Sequence, residues 1–156
     1  MNYGIELIKK EDLPKIEEFI WTIRDNEIRE EEISLVSPRY GDIWVCILPI
    51  LVLEKDRIIF QTQKRPILVI DDTQEHFIKN DYKNYYGLKI TSQEDSYQRL
   101  PIENYQKLGL RKKSYLRLEL PIKIEREQFL YKISKIEEKT MKKYMKLITD
   151  FIKKQT

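Results

Sequence analysis

The sequence predicts a mainly β domain of the α+β class, a small barrel of antiparallel strands with helices at its edges. Three observations carry this. Short segments rich in Ile, Val, Leu, Tyr and Phe recur between residues 43 and 133. One amphipathic pattern precedes them and another follows. Few long connections separate them, which favours strands that neighbour one another.

The first amphipathic pattern is Leu13, Ile16, Ile20 and Ile23, with Phe19 and Trp21 nearby. The three- and four-residue spacing predicts a helix over residues 12–30. Asp12 suits its N-cap and Pro14 its first turn. REEE at 29–32 reads as a solvated helix end, and SPRYGD at 37–42 as a break. The predicted strands are 43–53, 57–61, 66–70, 86–91, 114–120 and 129–133. Polar stretches at 71–84 and 92–113 separate them, the second carrying a short helix around 101–108. A last helix is expected from Ser134, which has capping-box spacing to Glu137. Met141, Tyr144, Ile148 and Phe151 form its apolar stripe. Lys139, Lys142, Lys143, Lys146 and Lys153 lie mostly off that stripe and read as a solvated face.

Length and composition narrow the function. A chain of 156 residues suits one domain with a small appendage. Apolar residues at 41% and charged residues at 35% fit a globular chain rather than a disordered one. No apolar run approaches the ~18–20 residues of a membrane helix. The start, MNYGIELIKKEDL, lacks the apolar core of a signal peptide. Cys46 is the single cysteine, so a disulfide within the chain and a multi-cysteine metal cluster are excluded. The expected compartment is cytoplasmic.

His76 is the single histidine, which rules out a paired-histidine nuclease. Only four glycines are present and no Gly-rich phosphate loop. No acid cluster has metal-binding spacing, so neither cofactor nor metal is expected. Residues 1–40 hold ten Asp/Glu against six Lys/Arg, a charge of −4; the rest holds sixteen against twenty-three, or +7. The organisation expected is an acidic helical arm, residues 1–38, and a basic barrel domain, residues 39–156. A basic body permits a nucleic-acid partner without requiring one.

Three stretches can carry chemistry. In KRP at 64–66, a proline at a strand start sets Arg65 at a sheet rim, where a guanidinium suits a phosphate. The same residues also read as charged gatekeepers beside the aggregation-prone ILVI. In YGLKITSQ at 86–93, a strand ends in Thr91 and Ser92, followed by Gln93. Such groups hold phosphate or base edges, or form an ordinary polar strand end. In KKSYLRLELPIKIE at 112–125, Leu116, Leu118 and Leu120 alternate with Tyr115, Arg117 and Glu119. The second row offers a cation and a general base, or a surface ion-pair ladder. Cys46, inside IWVCILPI, reads as a buried structural thiol.

The order GDIW, KRPILVI, ITS and SYLRLE, then a lysine-rich KISKIEEKTMKKY, resembles the MazF/PemK (Kid-type) toxins of bacterial type II toxin–antitoxin systems. The resemblance covers roughly residues 40–152. It implies an SH3-like barrel with a C-terminal helix, a homodimer, and metal-independent cleavage of single-stranded RNA. It further implies that Arg65 and Thr91 meet the scissile phosphate, and that Arg117 and Glu119 match an Arg-x-Asp pair with Glu in place of Asp. Lys64, Ser92, Gln93 and Tyr115 are the expected RNA-contacting neighbours. The expected partners are the RNA and an antitoxin protein. The chain departs from the family in LPILVLEKDRIIFQTQ, which is longer and lacks a Gly-rich loop, and in Leu120 and Ile122, which replace Gln and Arg. Two readings from other classes stay open: a barrel that binds RNA or protein without cutting, and a gyrase-poisoning toxin of the CcdB type, whose aromatic tail the ending FIKKQT lacks. The acidic arm is expected beside the barrel or over its RNA groove. If it covers the groove, deleting residues 1–38 raises RNA cleavage; unchanged cleavage contradicts groove covering.

Overall fold

The computed structural model describes residues 6–12, 37–72, 74–77, 80–83, 85–93 and 99–155. Beyond Asp12, the helix expected over 12–30 lies outside the described residues. The elements are β1 (Glu6–Lys9), β2 (Asp42–Glu54), β3 (Arg57–Asp71), β4 (Gln74–Phe77), β5 (Asn80–Lys83), β6 (Tyr85–Thr91), β7 (Arg99–Pro101), β8 (Tyr115–Ile124), β9 (Phe129–Lys135) and the helix α1 (Glu138–Gln155). The fold is mainly β with a C-terminal helix, as the sequence predicts. No helix among the described residues is long and apolar enough to cross a membrane.

The main sheet runs β1-β2-β3-β6-β8-β7, with β9 also on β2. It is open, where a closed antiparallel barrel is expected from the strand order. Two features account for this. β1 pairs parallel to β2, Glu6↔Ile50 through Lys9↔Leu53, so the sheet is mixed. The connection from residue 10 to residue 41 is long enough for a parallel return. β9 occupies the same edge of β2 only at residues 42–46, leaving the other half to β1. At the opposite edge β7 has three residues. Removing residues 1–38 therefore also strips β1 from the edge of β2.

The β2–β3 hairpin is longer than the sequence pattern implies. Its pairing runs unbroken from Ile43↔Leu68 to Glu54↔Arg57, so the two strands read at 57–61 and 66–70 are one. Pro66 consequently stands within a strand. It marks a boundary all the same: pairing of β3 with β6 begins at Ile67↔Lys89, and a residue without N–H suits the last position before that ladder. At the hairpin's far end Ile8, Ile50 and Val52 form a small cluster with Ile59, while Ile58 and Phe60 face outward and are exposed.

Both faces of the sheet are apolar, which is why β2 and β3 read as near-continuous aliphatic runs. On one face Ile43, Val45, Leu68, Leu88, Ile90, Leu116 and Leu118 pack with Met141, Tyr144 and Ile148 of α1. On the other lie Trp44, Cys46, Leu48, Ile67, Val69, Tyr85, Ile122, Ile124 and Phe129. Each such aliphatic contributes about 1.5–3 kcal/mol on burial. Leu118 and Ile122 have the same parity on β8 yet face opposite ways. A bulge explains it: the pairing with β6 jumps from Leu88↔Pro121 to Ile90↔Leu116.

Two local expectations change. Ser134 belongs to β9, paired with Ile43, and its hydroxyl donates to the Leu108 carbonyl at 2.7 Å. The ladder with β2 thus delays α1 to Glu138. The short helix expected at 101–108 is a series of turns over 103–109, broken by Asn104 at φ 55°. The break at 37–42 has the expected turn chemistry. Gly41 takes φ 88°, and Asp42 Oδ2 accepts from the Arg39 N–H at 2.9 Å and from Trp44 Nε1 at 3.2 Å.

Gly87 sits where β6 crosses the second core. A Cβ there would lie 2.3 Å from Ile67 Cγ2 and 3.0 Å from the Leu68 carbonyl oxygen. Gly87→Ala is expected to lower stability by about 1–3 kcal/mol in urea unfolding, through overpacking; a neutral substitution contradicts this packing.

Candidate nucleic-acid interface

The face away from α1 is apolar at one end and polar at the other, and the strand registers show how. On β3, Gln63 and Arg65 share the parity of Ile67 and Val69, so they continue that face. On β6, Lys89 pairs with Ile67, and Thr91 pairs with Tyr115 of β8. Arg117 follows two residues on from Tyr115 and pairs with Arg99 of β7. Two rows result on this face. One holds Lys89 beside Ile67 and Arg117 beside Arg99, with the β6–β8 register shifting between Leu88 and Ile90. The other holds Thr91 beside Tyr115, with Arg65 two residues beyond Ile67 on β3. Strands β3 and β8 are two spacings apart, about 10 Å, so Arg65 and Arg117 can reach one group between them.

The rows are well covered. Arg65 is 4% exposed, Lys89 1% and Gln63 5%. Thr91 and Tyr115 are buried as well. Glu119 Oε1 accepts from Arg117 Nε at 3.0 Å and from Arg99 Nη1 at 2.5 Å. That one oxygen takes both guanidiniums, while Oε2 is buried without a hydrogen-bond partner. Four of the five ionised side chains named here are cations. Charged groups at this depth cost free energy unless they are paired, and Glu119 supplies that opposite charge to Arg99 and Arg117.

The expected site residues fall as follows. Arg65, Thr91, Tyr115, Arg117 and Glu119 come together on this face. Lys64 neighbours Arg65 on the strand, pairs with Ile47 and projects from the other face. Ser92 is half-buried in the bend after β6, and Gln93 is exposed, its N–H donating to Thr91 Oγ1 at 3.2 Å. Tyr115 has the Lys113 ammonium 5.9 Å from its ring centre.

Three members of the rows escape a reading of motifs: Lys89, Arg99 and Gln63. Lys89 and Gln63 could have been found from alternation, since each lies two residues from a predicted site residue on its own strand. Arg99 offers no such signal, because β7 is three residues within a polar stretch.

Cys46 pairs with Arg65 across β2 and β3 and lies in the apolar part of the same face. Burial pushes its thiol well above the usual value, against a smaller opposing effect of Arg126. It therefore has little thiolate near neutral pH. Among the described residues no group of three or more His, Cys, Asp or Glu forms a metal-binding cluster.

No protein-family model matches the sequence, and no curated protein matches it. The functional reading therefore stands on this face and on the motif order. For Cys46, iodoacetamide at pH 8 is expected to leave the native protein unmodified and to alkylate it in urea; rapid native alkylation contradicts the buried thiol.

Proposed function

We propose that this protein is a toxin-type endoribonuclease that cleaves single-stranded RNA without metal by attack of a ribose 2′-hydroxyl. The observation that carries the reading is the meeting of Arg65, Thr91, Arg117 and Glu119 on one sheet face, from three separate motifs. The open mixed sheet is read as a variant of the SH3-like barrel that the motif order implies.

In this reading Glu119 Oε2 takes the 2′-hydroxyl proton, while Arg117 and Arg99 hold Oε1 and so fix the carboxylate. The 2′-oxygen forms a bond to phosphorus and the bond to the 5′-oxygen breaks, that oxygen taking the proton that Glu119 accepted. The products are a 2′,3′-cyclic phosphate and a 5′-hydroxyl. Arg65 and Arg117 stabilise charge on the phosphoryl oxygens, and the Thr91 hydroxyl donates to one of them. A homodimer, and an antitoxin whose acidic segment crosses the basic face, complete the proposal.

One observation favours a second reading. Glu119 Oε2 is closed to solvent as well as unpartnered, so the Arg–Glu–Arg group also suits a fixed structural clamp. The protein then binds RNA or a protein partner without cutting.

The purified chain, incubated with long single-stranded RNA in EDTA, separates the two. Cleavage is expected to survive EDTA and leave cyclic-phosphate ends. Arg65→Ala is expected to slow it by about 10²–10³-fold, and Glu119→Ala by about 10²–10⁴-fold. Binding with no cut ends supports the second reading and refutes the first.

A further inference from the structure

We propose that a second copy of this chain pairs with the open edge of β3 over residues 57–64, antiparallel and about a two-fold axis at Phe60. The inference gives an interface to the homodimer named above and rests on no other part of that reading. β3 has β2 on one side along its length, but its other side meets β6 only from Ile67. Among the described residues no strand pairs with that side before Ile67. Natural sheets blunt their edges with short strands, prolines or bulges, because an open row of backbone groups recruits another strand. The outer strands here follow that rule: β1 has four residues and β7 three. The stretch 57–64 does not. Its ladder with β2 has no register shift, and it holds no proline. It also carries exposed apolar side chains, Phe60 at 80% and Ile58 at 53%.

Symmetry and charge select the partner and the register. Two copies of one edge strand pair antiparallel with their faces aligned only when the two-fold axis passes between two copies of the same residue. An axis at Phe60 sets Phe60 against Phe60 of the second copy, Ile58 against its Thr62, and Asp56 of the turn beside its Lys64. The first is an aromatic cross-strand pair, the second joins two β-branched residues, and the third brings opposite charges together. An axis at Gln61 would set Arg57 against Arg65 of the second copy, which like charge opposes. An axis at Ile59 runs into the turn sooner and pairs fewer residues. Across the sheet Leu7 stands beside Leu51, and Leu51 beside Phe60. Pairing at Phe60 therefore joins these side chains of both copies into one apolar row. A single strand pair buries less than the ~1,200 Å² of a standard interface, so the dimer is a reversible one.

Sedimentation equilibrium of the full chain over a wide concentration range is expected to show monomer and dimer in exchange. Phe60→Lys sets like charges face to face and should weaken the dimer about tenfold or more. Asp56→Lys should weaken it less, and adding Lys64→Asp to that variant should restore it. Oxidation supplies the second readout. Phe60→Cys should link two copies by a disulfide, because the native Cys46 is buried. Thr62→Cys should not, since in this register the two copies of residue 62 stand about 13 Å apart along the strands. If Phe60→Lys fails to fold by circular dichroism, the two cysteine variants decide. A monomer at every concentration overturns the proposal. So does a dimer that survives Phe60→Lys, or linkage at residue 62 as ready as at residue 60; either places the contact elsewhere. End mapping on long RNA with the same proteins keeps the two readings apart. RNA cut by a monomer refutes this interface and leaves cleavage standing. Uncut RNA, with a dimer that Phe60→Lys breaks, refutes cleavage and supports the interface.

Discussion

The register of the β2–β3 hairpin is the constraint from which the other features follow. Twelve consecutive pairs fix which side chains face α1 and which face away. A slip of one residue would reverse every one of them, sending Arg65 and Gln63 toward the helix and Leu68 toward the polar rows. The slip is opposed on both faces, because both bury aliphatics. The two-residue turn Lys55–Asp56 pins one end, although Lys55 adopts a left-handed φ of 54°. Asp42 pins the other, with its hydrogen bonds to Arg39 and Trp44 and its ion pair to Lys132 at 3.3 Å. β6 and β8 then inherit their facing from β3.

That inheritance explains how cations come to lie in a covered place. Lys89 is carried inward because Leu88 and Ile90 on either side must meet α1. Arg117 is carried inward in the same way by Leu116 and Leu118. The aliphatic burial on one side is large enough to hold charged residues on the other. Glu119 gathers Arg99 and Arg117 onto one oxygen, which ties the short edge strand β7 to β8 through side chains as well as backbone. The bulge that follows in β8 turns Ile122 and Ile124 back toward the apolar end of the face, so the polar rows stay confined to one end.

Alternation made much of this readable in the sequence. SYLRLE separates its leucines from its Tyr–Arg–Glu row by period alone, and the structure has that division. IWVCILPI and ILVI mark strands buried on both sides. What period could not give was continuity and pairing. QTQK looks like a connection because its residues are polar, yet it lies inside β3, where Gln63 and Arg65 face inward. Ser134 and Glu137 have helix-start spacing, but the backbone of Ser134 belongs to a ladder with Ile43 that only the fold supplies. β1 is four residues whose partner lies some forty positions away, a distance at which no local pattern speaks. Lys89 was hidden for a different reason: a lysine in a strand is ordinarily read as solvent-facing, and here its two neighbours decide otherwise.

The central claim is that Arg65 and Arg117, from strands two apart, act on one phosphodiester. A double-mutant cycle on RNA cleavage tests it most directly, with Arg65→Ala, Arg117→Ala and the pair. Residues that serve one group lose their effect together, so the double variant should be little slower than the slower single. Losses that multiply would place the two arginines at separate sites and contradict the account.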